Sequence, residues 1–216
     1  MNTALACTTL AVSSYLIGGI PWGYIVVKIL KGVDVRNYGS GNIGATNVRR
    51  VAGNAACVVV FALDVAKGFV PVFVVARLFG SLLPYPIPGG ALILQVISGL
   101  SSILGHMYTP YLGFKGGKGV ATSCGVFFGL APIPALWAFG VWVGVLAIWK
   151  YVSLASIAAA VCLPLALILT DPRGALGEKK FLTLLCVAAA GLVIFRHRSN
   201  IVRLLKGTEP KVGQRQ

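Results

Sequence analysis

SLASIAAAVCLPLALILT, residues 153–170, runs for eighteen residues without a charge. A helix needs roughly 20 apolar residues to cross a lipid hydrocarbon layer, and this run approaches that length. Comparable apolar segments fall at 4–27, 53–76, 90–105, 120–132, 134–149 and 181–195. The chain has 216 residues, of which 57% are hydrophobic and 11% charged, so little remains for a separate soluble domain. Backbone groups in lipid must be satisfied within the protein, which favours helices here. The sequence therefore predicts an all-α, polytopic integral membrane protein, one domain over 1–216 with about seven transmembrane helices. Several segments are shorter than a perpendicular span. At Ala131–Pro134, Pro132 and Pro134 suit either a tight turn between two short spans or a re-entrant hairpin.

Charge orients the spans. The first basic residue is Lys28, so the opening apolar segment lacks the basic region of a cleavable signal and reads as a first transmembrane helix. Seven spans put the termini on opposite sides. One side then holds fourteen basic residues: Lys28, Lys31, Arg36, Arg49, Arg50, Lys115, Lys118, Lys150, Arg196, Arg198, Arg203, Lys206, Lys211 and Arg215. The other holds Arg77, Arg173, Lys179 and Lys180. The richer side is expected in the cytoplasm, with the N-terminus outside and the C-terminus inside. Trp22 and Trp149 fall near the expected interfaces. Residues 207–216 read as a loose cytoplasmic tail, and the loop at 77–90, with Pro84, Pro86 and Pro88, carries no sign of chemistry.

Lys67 falls inside the second span, three residues after Asp64. On a helix the two share a face, and a structural ion pair turned to the bundle interior is expected. The net charge of +14 fits the orientation bias and contact with anionic lipid, and also an anionic substrate. Nucleic acid is not expected, because the basic residues flank apolar spans and form no soluble patch. Cys7, Cys57, Cys124, Cys162 and Cys186 lie in or beside apolar stretches without pairing motifs and read as packing residues.

The polar sequence collects on the side expected to be cytoplasmic. GSGNIGATNVRR, residues 39–50, sets Ser40, Asn42, Thr46 and Asn47 among three glycines and ends in Arg49 and Arg50. Small donors on a flexible backbone, followed by the forked guanidinium of arginine, suit a phosphate. A capped helix start at Thr46 or Asn47 would account for part of the segment. GHMYTPYLGFKGGKGVAT, residues 105–122, brings Lys115 and Lys118 together with Gly116, Gly117 and Gly119. Glycines let backbone N–H groups turn toward an anion, lysine adds charge, and a helix beginning here would add its N-terminal donors. A nucleotide-triphosphate loop would need Ser or Thr after the lysine to reach Mg²⁺, and Gly119 stands there instead.

KYVSLAS, residues 150–156, offers Ser153 and Ser156 at a helix end, a common packing arrangement in membrane helices. RHRSNIVRLLKGTE, residues 196–209, places His197 and Asn200 three apart on one helix face. No GxSxG elbow is present, and no metal-ligand cluster. A common lipid acyltransferase signature sets Asp five residues after His, and His106 is followed at that distance by Tyr111. Five carboxylates without an obvious pair leave little protein acid–base chemistry, so neither a metal nor a cofactor is expected.

Taken in order and spacing, GSGNIGATN with Arg50, then GHMY and FKGGKGVAT, YVSLAS and RHRSNI resemble the bacterial acyl-phosphate:glycerol-3-phosphate acyltransferases over nearly the whole chain. The resemblance implies a seven-helix enzyme of the bacterial inner membrane. Such an enzyme moves a fatty acyl group from acyl phosphate to the 1-hydroxyl of glycerol 3-phosphate. It yields 1-acyl-glycerol 3-phosphate (lysophosphatidate) and phosphate, the first acylation of phospholipid synthesis. It also implies functional coupling to the soluble enzyme that makes acyl phosphate.

Carried onto this chain, the family's functional residues fall on Ser40, Arg50, Lys118, His197 and Asn200. Arg50 and Lys118 are expected to bind phosphate and Ser40 to donate to it, with His197 and Asn200 orienting the glycerol hydroxyls. Asn42, Thr46, Asn47, His106, Lys115, Gly116, Gly117, Gly119, Ser153 and Ser156 are expected as further substrate contacts, and Glu209 as structural. The general base is either His197 or the acyl phosphate itself. A transporter for a phosphorylated solute remains the rival class, since it too needs basic cytoplasmic loops. Its binding groups would be expected at the midplane. A lipid-binding scaffold without turnover is a further alternative.

Overall fold

A computed structural model of the chain describes residues 2–81 and 90–214. Pro84, Pro86 and Pro88, and Arg215 of the expected tail, lie outside the described residues. Every regular element described is helical. The chain folds as two compact units, one ending at Leu130 and the other beginning at Ala131. The division falls where Pro132 and Pro134 interrupt the apolar sequence.

The first unit opens with α1 (Thr3–Gly19), capped by the Asn2 side chain, which accepts from the Leu5 N–H at 2.8 Å. Pro21 then interrupts the helix, and α2 (Trp22–Lys31) closes on Gly32 in the left-handed region at φ +71°. The expected segment 4–27 is therefore two helical pieces. α3 (Ala45–Val70) begins well before the apolar run starting at 53, and Gly53, at φ +86°, breaks its regularity. The polar stretch up to Gly53 is thus a helical piece of its own. A π-turn at Pro71–Val75 carries the chain into α4 (Ala76–Ser81), because Pro71 cannot donate to the ladder. α5 (Gly90–Met107) and α6 (Val120–Leu130) complete the unit.

α1 packs along α5, and α3 along α6. Each pair closes on small residues. Gly18 lies against the Ser102 backbone and Gly68 against the Thr122 backbone, where any Cβ would collide. Helices in lipid gain little from burying apolar surface against each other, so such close approach and hydroxyl contacts drive their packing. Ser14 and Ser98 hydroxyls meet at 2.8 Å across α1 and α5.

The second unit begins with α7 (Pro132–Trp149), with Pro132 in the first turn, where its missing N–H costs nothing. α8 (Val152–Thr170) packs on α7 and on α10 (Lys180–Arg196), while the short α9 (Pro172–Leu176) joins α8 to α10. α11 (Arg198–Leu205) follows a 58° bend at His197. Residues near the C-terminus are not loose as far as they are described. The Val212 N–H donates to Lys150 O at 2.8 Å, and Glu209 is buried.

All seven expected apolar segments are helical, but their lengths differ from seven equal spans. Among the described residues, five helical stretches are long and apolar enough to cross a membrane, and α10 with α11 makes a sixth if the bent pair counts as one span. α6 has 11 residues, about 16 Å of helix and roughly half a hydrocarbon layer. Its length is set by the glycine–lysine loop before it and Pro132 after it.

Candidate active site

In the first unit, the segment after α2 is fixed from both ends. Asp34 accepts the Arg36 N–H at 2.9 Å and pairs with its guanidinium, which holds the Asp34 carboxyl below the usual carboxylate range. Asn47, in the first turn of α3, does the larger share. Its Nδ2 donates to Val35 O, Tyr38 O and Asn42 O at 2.9–3.0 Å, and its Oδ1 accepts the Ser40 N–H at 2.9 Å. Asn47 is 1% exposed. Asn42 in turn accepts the Gly44 N–H at 2.8 Å. Helix α3 starts at Ala45 with no side-chain cap, so the amide of Asn47 serves the loop and not the helix end.

Ser40 and Arg50 stand exposed on this scaffold, and Thr46 and Arg49 are partly so. Gly39 has φ +57°, and a Cβ there would strike Asn47 Oδ1 and come within 3.4 Å of Arg50 Cδ. Three residues past Asn47, Arg50 thus lies on the same face of α3 and beside the Ser40 loop.

The glycine–lysine loop is anchored to the end of α5. The Gly116 N–H donates to Met107 O at 3.2 Å and the Gly117 N–H to His106 O at 3.0 Å. Those two donors are used within the protein, which corrects the simple picture of glycine N–H groups all turned to an anion. Other backbone donors lie at the start of α6 at Val120, where the first N–H groups of a helix have no partner within it, although the Ser123 N–H is taken by Gly119 O at 2.7 Å. Gly119, at φ +82°, makes the turn into that helix. Lys115 is exposed and Lys118 partly so. Leu112, just before the loop, packs on the apolar cluster of Val27, Val35, Ile43 and Val48, so both polar segments rest on one base.

Beneath the loop lies a buried charged group. Lys67 Nζ is 2.8 Å from Asp64 Oδ1, both side chains being 3% exposed, and donates to Ile20 O at 2.7 Å. The expected ion pair is formed. His106 Nδ1 lies 3.7 Å from the same carboxylate oxygen. Thr122 and Ser123, at the start of α6, keep buried hydroxyls without a hydrogen-bond partner among the described residues. Neither residue stands out in the sequence as a candidate for the site.

In the second unit, Glu209 is the centre of a polar cluster. Its Oε1 accepts from Ser153 Oγ at 2.7 Å and Asn200 Nδ2 at 2.6 Å, and its Oε2 from Arg203 Nε at 2.7 Å. Burial pushes the carboxyl up, but these three donors outweigh it and hold Glu209 below the usual glutamate range. The three bonds tie α8 and α11 to the segment that follows them. Ser156 Oγ donates to Val152 O at 2.7 Å and accepts from Trp142 Nε1 at 3.3 Å. The hydroxyl protons of Ser153 and Ser156 are thus committed inside the unit.

His197 is buried at the bend between α10 and α11, with Nδ1 2.7 Å from Val193 O. A carbonyl only accepts, so the proton of the neutral ring sits on Nδ1 and Nε2 is its acceptor nitrogen. His197 stands at the bend itself and Asn200 in the first turn of α11, so the two are not both inside one helix as a shared helix face would require. No group of three or more His, Cys, Asp or Glu side chains is arranged to hold a metal among the described residues.

Residues 8–207 match the family described as glycerol-3-phosphate acyltransferase. A glycerol-3-phosphate acyltransferase of Aquifex aeolicus is 45% identical over 201 residues, 93% of this chain and 96% of that protein. One from Parasynechococcus marenigrum is 42% identical over 211 residues, 98% of this chain and 92% of its own length. Among solved structures, the glycerol 3-phosphate form of PlsY, an integral membrane glycerol 3-phosphate acyltransferase, superposes with TM-score 0.83 at 42% identity, covering 96% of both chains. The lysophosphatidic acid form of the same enzyme gives TM-score 0.80 at 42% identity, covering 96% of this chain and 95% of that one.

Proposed function

This chain belongs to the glycerol-3-phosphate acyltransferase family and is an integral membrane protein, and we propose that its acyl donor is acyl phosphate. In the reaction, the 1-hydroxyl oxygen of glycerol 3-phosphate attacks the acyl carbon. A new ester C–O bond forms, the acyl–phosphate C–O bond breaks, and its electron pair leaves on phosphate. The hydroxyl proton passes to a phosphate oxygen of the donor, giving lysophosphatidate and inorganic phosphate.

Both substrates are anions, so the protein's task is to hold two phosphates despite their repulsion and to stabilise charge as it develops. Lys118, Arg50 and the first turn of α6 grip phosphate, with Ser40 donating to it and Lys115, Asn42 and Thr46 nearby. His197 and Asn200 orient the glycerol hydroxyls. The observation that carries this reading is the common apolar base under the two basic segments of the first unit, with Leu112 packed against the cluster that holds Val27, Val35, Ile43 and Val48. It supports one rigid anion-binding surface in place of two independent flexible loops.

A mixed anhydride has a good leaving group, so no protein nucleophile is needed. We assign the base to the donor phosphate, with His197 Nε2 as an acceptor for a substrate hydroxyl. The protein is placed in the bacterial inner membrane with its basic side in the cytoplasm, where a soluble enzyme supplies acyl phosphate.

Purified protein in detergent, given acyl phosphate and glycerol 3-phosphate without added metal or acyl-CoA, tests the proposal. Phosphate release that requires both substrates supports it. Tight binding of both without release would leave a transporter or a lipid-binding scaffold instead.

A further inference from the structure

Resting on the reading that the glycine–lysine loop grips phosphate, we infer that His106 is a positioning residue. It couples the buried Asp64–Lys67 pair to the backbone that carries Lys118. Three helices contribute. Lys67 on α3 donates to the Ile20 carbonyl, beside the Pro21 break in the first helical segment, and pairs with Asp64. Asp64 Oδ1 lies 3.7 Å from His106 Nδ1 at the end of α5. The opposite ring nitrogen, Nε2, lies against Gly117, so close that a Cβ on Gly117 would fall within its van der Waals envelope. The main chain of the same histidine accepts the Gly117 N–H.

The imidazole is therefore wedged between a carboxylate on one side and the loop backbone on the other. An ion pair in an apolar interior holds a defined geometry, because breaking it strands a charge. That rigidity passes through a planar ring to Gly117, next to Lys118. The arrangement also explains why position 117 must be glycine. The constraint comes from the ring, not from a left-handed backbone, because Gly117 is not among the positive-φ residues. At 3% exposure His106 is ill placed to touch a substrate itself.

The test compares Gly117→Ala, His106→Ala and the double variant as purified proteins, reading kcat and KM for both substrates together with the thermal midpoint in detergent. Gly117→Ala is expected to lose about 100-fold in kcat/KM, since the added methyl pushes the loop off the ring by about an ångström. His106→Ala is expected to lose less, mainly by a raised KM for a phosphate substrate. The double variant is expected to be no worse than His106→Ala, because the methyl then occupies vacated space. A double loss equal to the product of the two single losses would overturn the inference, since independent roles multiply. If His106→Ala does not survive in detergent, His106→Asn also vacates the Nε2 position and gives the same comparison. Wild-type protein that releases no phosphate would strike the proposed function itself, before any variant is compared.

Discussion

The Ser40 backbone hangs from the Asn47 side chain, its N–H donating to Asn47 Oδ1 at 2.9 Å while Asn47 Nδ2 holds three carbonyls of the same loop. One buried amide thus sets the conformation from Val35 to Ser40. Asn47→Ala removes donor and acceptor together, leaving the Ser40 N–H and Asn42 O without this partner, while Val35 O and Tyr38 O keep only their backbone bonds from Tyr38 and Gly41, at a cost of about 1–3 kcal/mol. We expect kcat/KM to fall by about 100-fold. Asn47→Asp keeps the acceptor for Ser40 but loses the donors, so it is expected to fail as well. Near wild-type activity in Asn47→Ala would refute this role.

Lys118→Ala is expected to abolish turnover while the detergent-solubilised protein keeps its thermal midpoint, because Lys118 is partly exposed. Lys118→Arg should recover only part of the rate, since a planar fork and a point charge meet phosphate differently. Steady-state phosphate release with both variants checks this.

Arg49 stands beside Arg50 and can supply charge to the same loop. Arg50→Ala is expected to show a smaller loss than the Arg49→Ala/Arg50→Ala pair, with the excess seen in KM for the phosphate substrates. Salt titration gives a second reading, as remaining long-range charge is screened at high ionic strength. Equal losses in the single and double variants would limit the role to Arg50.

Glu209 links pH to the stability of the second unit. Its folded pKa is lowered, so its contribution is fully present above the ordinary glutamate value of 4.5 and is lost as pH falls through the lowered value. Glu209→Ala should remove that acid-side dependence and destabilise the unit by about 3 kcal/mol, through the loss of a buried, hydrogen-bonded charge. Thermal midpoints from neutral pH down to about pH 3 report this. An unchanged pH profile in the variant would count against the pinned carboxylate.

Substrate assistance predicts a specific kinetic split. His197→Ala should retain turnover with chiefly a raised KM for glycerol 3-phosphate, because the ring orients a hydroxyl and the donor phosphate takes the proton. A loss confined to kcat would move the base to His197.

The apolar spans were legible because hydropathy is a local property, and each of the seven segments is helical. Backbone breaks were not. Pro21 splits the first segment, Gly53 bends α3 and Pro71 opens a π-turn, none of which alters mean hydropathy. The start of α3 at Ala45 falls within two residues of the helix start at Thr46 or Asn47 that the sequence offered as one reading, although no side chain caps it. In the site, charge and glycine content marked the right segments, but side-chain direction was invisible. Asn47 and Ser153 read as substrate donors, yet their donors go to loop carbonyls and to Glu209. The contact between Asp64 and His106 joins two helices distant in sequence, which spacing along one helix cannot reveal. The Asp64–Lys67 pair, three residues apart, was legible for the same reason in reverse.

The acyl donor and the coupling of its phosphate to product are tested most directly by one stoichiometric measurement. Lysophosphatidate and inorganic phosphate are quantified in the same reaction, with acyl phosphate and then acyl-CoA as the sole donor. The account predicts one phosphate per lysophosphatidate from acyl phosphate and no product from acyl-CoA. Lysophosphatidate formed from acyl-CoA, or phosphate released without lysophosphatidate, would contradict it.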